Sequence, residues 1–139
     1  MSNTQAVCTS FKSELLNKEH DLNTDTFKIA LYTSSATVNA TTTAYSAGNE
    51  VSGTGYTGGG ATLSGGAIAT TGTVVYIDFT DVSWTTASFT ANAALIYNSS
   101  ASNKAVMVIT FGGDQTVVTG TFTIVFPAAD SSNAILRLN

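Results

Sequence analysis

The chain has few of the residues on which most catalytic and metal sites depend. Its 139 residues include only five basic and nine acidic side chains, one histidine, one cysteine and one proline. General acid–base and nucleophilic chemistry needs several ionisable side chains that converge on one pocket. Because so few are available beyond His20, the composition argues against an enzyme, and we expect neither a cofactor nor a metal.

The sequence also argues against nucleic acid and membranes as partners. The five Lys and Arg side chains stand singly along a chain of net charge −4. Proteins that bind phosphate backbones do so with clustered Lys and Arg side chains, so nucleic acid is not expected as a partner. No apolar run approaches the roughly 18 residues of a membrane span, so a membrane is not expected either. The N-terminus does not have the basic start and apolar stretch of a secretory signal.

The single cysteine, Cys8, rules out a disulfide bond within the chain. Stability must therefore come from packing, from assembly, or from both. We expect Cys8 to be a small buried hydrophobic residue on a helix, because free cysteine is among the most buried residue types. An intermolecular bridge or a reactive thiol is the alternative.

What the sequence has in quantity is β-forming residues. It holds 24 threonines, together with many Val, Tyr and Phe residues that suit a pleated, half-buried sheet. Its mean hydropathy of +0.19 is too high for a disordered tail. The length, residues 1–139, is that of one ordinary domain with one core.

One amphipathic helix is predicted near the N-terminus, over residues 3–17. Val7, Phe11 and Leu15 recur at a spacing of four, which places them on one face. Asn3 or Thr4 is suited to cap the first turn. Because so short a helix is marginal in water by itself, its apolar face must lie on the sheet or on another subunit.

Several segments alternate apolar and polar residues between Gly, Ser and Asn, as short β-strands do. They are residues 26–33, 67–71, 73–80, 88–98, 104–111, 121–126 and 134–138. The strand at 26–33 is expected to bury one face, 99–103 to form a hairpin loop, and 112–115 to form a turn. The pattern predicts an all-β fold, an antiparallel β-sandwich or jelly-roll-like barrel, with one N-terminal amphipathic helix. A single helix is too few for parallel α/β crossovers.

Residues 34–66 form a long excursion rich in Gly, Ser and Thr. Long loops without structure of their own are uncommon unless they are functional, so we expect a contact surface here. A short helical turn near 42–47 or an edge strand near 61–63 is the alternative for part of it. Together with the helix, this excursion gives a predicted partner interface. Its residues are Val7, Phe11, Leu15, Tyr45, Val51, Tyr56 and Leu63.

Two short motifs resemble ligand-binding signatures but have the wrong context. Residues 53–58, GTGYTG, match the letters of the dinucleotide fingerprint, yet no buried strand precedes them and no helix follows. A glycine-rich turn or a closely approached assembly contact fits them better. Residues 21–25, DLNTD, begin like a calcium loop, but Thr26 and Tyr32 stand where glycine and glutamate are needed. Turns in which Asp and Asn side chains bond to the backbone explain this segment.

Other candidate chemistry is weaker. His20 could act as a base for a serine, but no nucleophile signature occurs, and a solvated loop histidine is expected. Asp78, Asp81 and Asp114 could serve glycoside cleavage, although carboxylates at strand ends usually form turns. Aromatic side chains on an exposed sheet face would make a carbohydrate-binding module. We expect instead that Trp84 fills the core.

Four segments of the sequence resemble segments of a known group of proteins. AVCTSFKSELLN, TDTFKIALYTSSA, NEVSGTGYTGGGATL and AALIYNSSASNKAV resemble a group of small virion structural proteins of tailed bacteriophages, from about Ala6 to Val106. The resemblance implies a virion location and no enzymatic activity. It implies a capsid decoration or cement protein on the capsid exterior, whose partners are the major capsid protein and further copies of itself. A tail-associated role in fibre attachment or receptor binding is the alternative, and a carbohydrate-binding module is a second one.

Overall fold

The all-β prediction is confirmed by a computed structural model that describes residues 3–127, 130, 132 and 134–138. This part of the chain contains one short helix, and the rest of its regular structure is β-strand. The elements are β1 Ala6–Val7, α1 Thr9–Leu16, β2 Phe27–Tyr32, β3 Ala61–Thr62, β4 Ala67–Thr71, β5 Val74–Asp78, β6 Val82–Asn98, β7 Lys104–Ile124 and β8 Leu136–Leu138.

The strands form two antiparallel sheets. The larger has the order β1-β7-β6-β2-β3, and the smaller has the order β4-β5-β8. In the described part of the chain the sheets stay separate and do not close into a barrel, so the sandwich form of the prediction fits and the barrel form does not. The buried core takes side chains from α1, from both sheets and from residues 34–66.

The hairpin of β6 and β7 dominates the larger sheet. The predicted loop at 99–103 is confirmed, since Asn98 pairs with Lys104. The predicted turn at 112–115 is wrong, because β7 continues through it as a bulge. The bulge lies between the pairs Ala91–Gln115 and Ala93–Thr110. Positive φ angles at Gly112 and Gly113 let the extra residues loop out while the strand continues.

The helix is shorter than predicted, because only residues 9–16 of the expected 3–17 are helical. Ala6 and Val7 pair with β7 instead, and the Cys8 N–H donates to the Val106 carbonyl at 2.9 Å. Cys8 also occupies the N-cap position, where it makes no capping hydrogen bond. No helix in the ranges described above has the length and hydropathy that a membrane crossing needs.

Strand β2 is buried on both faces, although its alternation predicted one buried face. The second face is covered by residues 44–50 of the excursion. The Tyr32 hydroxyl donates to the Ser46 carbonyl at 2.6 Å, and the Tyr45 ring stacks on Tyr97 of β6 at 4.8 Å between centroids. A long-range covering of this kind leaves no local signal in the strand itself.

The smaller sheet is a hairpin with a third strand added. Thr71 pairs with Val74 across the two-residue turn 72–73, where Gly72 has a φ of 62°. The register places a row of apolar side chains on one face of this sheet. They are Ile68, Val75, Ile77, Leu136 and Leu138.

Candidate functional site

The structure separates the three helix residues of the predicted partner interface. Phe11 is 1% exposed and lies in the core, with its ring centroid 4.9 Å from that of His20. A side chain so buried cannot meet a partner, so Phe11 serves the chain's own packing. Val7 and Leu15 are half-buried, and each lines a surface pocket.

The four interface residues predicted in the excursion also turn inward. Val51 and Leu63 are buried in the core, while Tyr45 and Tyr56 are half-buried and pack against it. The excursion is fixed to β2 as well, since the Val51 N–H donates to the Leu31 carbonyl at 2.9 Å. These residues anchor residues 34–66 to the sheet, and none of the four offers an exposed apolar side chain.

Glu50 holds the excursion in place through a network of hydrogen bonds. Its carboxylate accepts from the hydroxyls of Tyr45 at 2.6 Å and Tyr56 at 2.5 Å, and from the Gly59 N–H at 2.8 Å. The Tyr56 oxygen in turn accepts from the Leu31 N–H at 2.9 Å. Because donors occupy both carboxylate oxygens, Glu50 is not available as a general base.

The network keeps its tyrosines protonated. Burial, and then the neighbouring Glu50, raise the pKa of Tyr45 and Tyr56 well above the ordinary value, and burial raises the pKa of Tyr32 to about 12. The sequence reasoning overlooked Glu50. The sequence did contain a signal for Glu50. It is the only carboxylate between Asp25 and Asp78, and it lies between Tyr45 and Tyr56 in a segment of small polar residues.

Replacing Glu50 by glutamine should lower the free energy of unfolding by about 1–3 kcal/mol, the cost of a buried donor left unpaired. The new amide nitrogen would face either the Gly59 N–H or a phenol that now donates. Urea unfolding followed by circular dichroism measures this. Glu19→Gln is the matched control, since Glu19 pairs only with the Lys104 ammonium at the surface and should matter little. Equal effects of the two changes would contradict the role given to the network.

His20 is not the solvated loop residue that was expected. It is only 7% exposed, and its two ring nitrogens lie 2.9 Å from a Glu14 oxygen and 3.0 Å from the Asn98 amide nitrogen. The Asn98 oxygen accepts the Ser100 N–H at 2.9 Å, so its NH₂ group faces the ring. Nδ1 therefore accepts and Nε2–H donates to Glu14.

This arrangement does not support nucleophilic catalysis. A catalytic histidine needs one ring nitrogen facing a nucleophile, whereas Glu14 and Asn98 occupy both nitrogens of His20. The nearby thiol of Cys8 is fully buried, as expected, and burial followed by the charge of Glu14 raises its pKa to about 11. It is therefore protonated at neutral pH and is a poor nucleophile.

The calcium-like segment forms the predicted turn. The Asp21 carboxylate accepts the N–H groups of Asn23 at 3.0 Å and Thr24 at 3.3 Å. Its oxygens are thus engaged with the backbone, as in an Asx turn. Across the part of the chain that the structure describes, no three His, Cys, Asp or Glu side chains are arranged to hold a metal ion.

The three aspartates considered for glycoside cleavage do not form one group. Asp114 accepts from the Asn92 amide at 3.0 Å beside the bulge of β7. Asp81 accepts the Phe126 N–H at 2.8 Å and so fixes the chain after β7. Asp78 is buried nearby. Burial raises the pKa of its carboxyl above the usual value, and the hydrogen bond from the Phe79 N–H offsets only part of that rise.

The aromatic residues fill the interior. Trp84 is buried, as predicted, and its ring packs with those of Tyr56 and Phe122 at 6.0 Å between centroids. Phe89 joins them, 5.2 Å from Phe122. The large apolar side chains that are exposed among the described residues are all aliphatic. A flat aromatic surface for sugar stacking is therefore not found in that part of the chain.

An apolar groove remains as the best candidate for a binding surface. It encloses about 190 Å³ between the end of α1 and the apolar face of the smaller sheet. Its lining residues are Leu15, Leu22, Ile68, Val75, Tyr76, Ile77, Leu136 and Leu138. Ile68 is 44% exposed and Leu138 53% exposed, and none of the lining residues is charged. Aliphatic side chains that share one open groove offer a small contact surface for another protein.

Only Leu15 of the groove belonged to the predicted interface. The remaining residues come from β4, β5, β8 and the turn after α1, which sequence reasoning did not bring together. The sequence shows the alternation within each of the segments that contain Ile68, Val75 and Leu138. Only the pairing of β8 with β5 places the three side chains on one face. No family model, curated protein or solved structure matches the chain.

Proposed function

We propose that this protein is a non-enzymatic virion structural protein, a capsid decoration or cement protein that binds neighbouring major capsid subunits on the capsid exterior. The apolar groove is the observation that carries the proposal. Its lining is uncharged and mostly aliphatic, and the half-exposed side chains of Ile68, Val75 and Leu138 suit an apolar segment of another protein. The resemblance of four segments to small phage virion proteins supplies the kind of partner.

The rest of the described surface and interior agrees with a binding role. Two ionisable groups considered for catalysis, Glu50 and His20, are occupied by structural hydrogen bonds. Burying one aliphatic side chain completely contributes about 1.5–3 kcal/mol, so a groove with three half-exposed side chains gives modest affinity per site. A shell presents many identical sites, and simultaneous contacts multiply such modest affinities.

Leu138→Asp tests the proposal on shells assembled without this polypeptide. Because Leu138 is already 53% exposed, the variant should fold, yet a charge in the groove should reduce shell binding at least about tenfold, or roughly 1.4 kcal/mol. Val118→Asp is the matched control, an exposed aliphatic residue on β7 outside the groove. Co-sedimentation with the shells measures binding, and circular dichroism checks folding.

The possible outcomes are distinct. Equal binding of both variants would remove the groove as the contact surface. No binding of the unmodified protein to shells, with binding to tails, would replace the proposal by the tail-associated alternative. Retention on immobilised glycans would favour the carbohydrate-binding module, for which the buried aromatics offer no support.

A further inference from the structure

The outer edge of β4 is unprotected. β4 is the edge strand of the smaller sheet, and no described residue hydrogen-bonds to its outer side. Its sequence, AIATT, contains no charge and no proline. Natural proteins protect such edges with charges, prolines, bulges or very short strands, because a free edge recruits another strand.

The other free edges carry such protection. β1 and β3 are two residues long, and β8 is three residues long and contains Arg137. The outer edge of β7 is open beyond its pairing with β1, but the bulge at Gly112 and Gly113 and the register shifts opposite Ala87 interrupt it. The same shifts interrupt the edge of β6 that β2 leaves open before Ala93. Among the described strands, β4 alone combines five regular residues with a neutral, uninterrupted edge.

The register shows which groups of β4 are free. Across a two-residue turn the flanking residues, Thr71 and Val74, form a hydrogen-bonded pair. Bonding alternates along an antiparallel strand, so Ala67, Ala69 and Thr71 bond to β5. The outward N–H and C=O groups of β4 therefore belong to Ile68 and Thr70.

We propose that β4 pairs with β4 of a second copy of this chain, antiparallel and centred on Ala69. Ile68 of each copy then forms a hydrogen-bonded pair with Thr70 of the other, which satisfies every outward group of the two strands. The smaller sheets of the two copies become one continuous sheet. A two-fold axis through the Ala69 pair relates the copies, as in most homodimers.

A second copy fits this edge better than an unrelated strand does. The edge is self-complementary, since the same two residues supply and receive all the bonds. The edge is also neutral, so two chains that each have a net charge of −4 can approach there without bringing like charges into contact. The 44%-exposed side chain of Ile68 would meet the Thr70 methyl group of the second copy on the apolar face.

The pairing also places the apolar grooves of the two copies on the same side of the joined sheet. A two-fold axis perpendicular to the sheet keeps the same face of both copies on one side, so the two grooves open together. This part of the inference rests on the proposed function, because a protein that bridges capsid subunits needs two contact sites. Two five-residue strands make a small interface, of the class below about 1,200 Å² that forms weak complexes, so the dimer should depend on concentration.

A cysteine at position 69 tests the geometry. In the proposed dimer Ala69 faces itself as a non-hydrogen-bonded pair, with Cα atoms about 4.5 Å apart, which lies within the range that a disulfide spans. In a glutathione redox buffer, Ala69→Cys should form a covalent dimer of twice 14.3 kDa, seen by non-reducing electrophoresis. The native Cys8 is buried and should not interfere.

Ala67→Cys is the matched control, because it lies on the same strand and face but pairs with Thr71 of the second copy. We expect at least about tenfold less covalent dimer from it than from Ala69→Cys, since its own copies lie too far apart for a disulfide. Equal cross-linking of the two variants, or none from either, would overturn the pairing.

Thr70→Pro in the Ala69→Cys background gives a second test. Proline removes an outward N–H that the free chain does not use, so circular dichroism should stay unchanged while the cross-link is lost. An unchanged cross-link would contradict the proposed register. These experiments read the mass of the free protein, so they can fail while shell binding through the groove stands, and the reverse also holds.

Discussion

Replacing Gly60 by alanine should lower the free energy of unfolding by about 3 kcal/mol or more, because it combines backbone strain with a severe clash. Gly60 has a φ of 82°, which side-chain-bearing residues rarely adopt. A Cβ atom added there would lie 1.8 Å from the Ile29 carbonyl oxygen of β2. The backbone would have to move away, and the pairing of β3 with β2 would be lost with it.

Gly58→Ala is the matched control two residues away. No atom lies within 4 Å of a Cβ atom added at Gly58, and its φ is outside the left-handed region. We expect this change to leave stability within about 0.5 kcal/mol, as surface substitutions usually do. Chemical unfolding of both variants measures the difference. Similar stabilities for the two would mean that the excursion does not approach β2 as closely as described.

The same segment shows the limit of sequence reasoning about glycine. The run GTGYTG at 53–58 predicts a glycine-rich turn or a closely approached assembly contact, whereas the close approach found at Gly53 is to the chain's own backbone. A Cβ atom at Gly53 would lie 2.5 Å from the Ser88 carbonyl of β6. Composition indicated that the backbone must approach something closely. It did not indicate which strand.

Local sequence patterns were sufficient to predict the central hairpin of the larger sheet. The hairpin at 88–98 and 104–111 follows from two apolar runs joined by a small polar loop, and the structure confirms it. The bulge at Gly112 was mistaken for a turn, because glycine allows both and only the partner strand decides between them. The helix was overextended for a similar reason, since Ala6 and Val7 satisfy their backbone groups on distant β7.

The candidate site was less predictable than the fold. Tyr45 and Tyr56 were predicted to belong to the partner interface, but Glu50 and the aromatic rings of β6 hold them against the chain's own sheet. The apolar groove requires three strands and the end of α1 to meet. Leu15 was identified because its helical spacing is a local pattern, whereas Leu138 became part of a surface only through its pairing with Val75.

Phe11→Ala should destabilise the free monomer by about 3–5 kcal/mol, the usual cost of removing a fully buried phenylalanine. The sequence left open whether Phe11 packs in the chain's own core or between subunits. Its 1% exposure and its contact with the His20 ring place it in the core. The melting temperature of dilute protein should therefore fall by roughly 10 °C or more.

Leu16→Ala on the same helix is the matched control, because Leu16 is 87% exposed and its truncation creates no cavity. Its melting temperature should stay within a few degrees of the parent value, since exposed positions rarely contribute more than about 0.5 kcal/mol. An unchanged melting temperature for Phe11→Ala, with weaker assembly, would instead place Phe11 between subunits. In that case α1 itself would be a partner-binding element, and the apolar groove beside it would have to be extended to include the helix face.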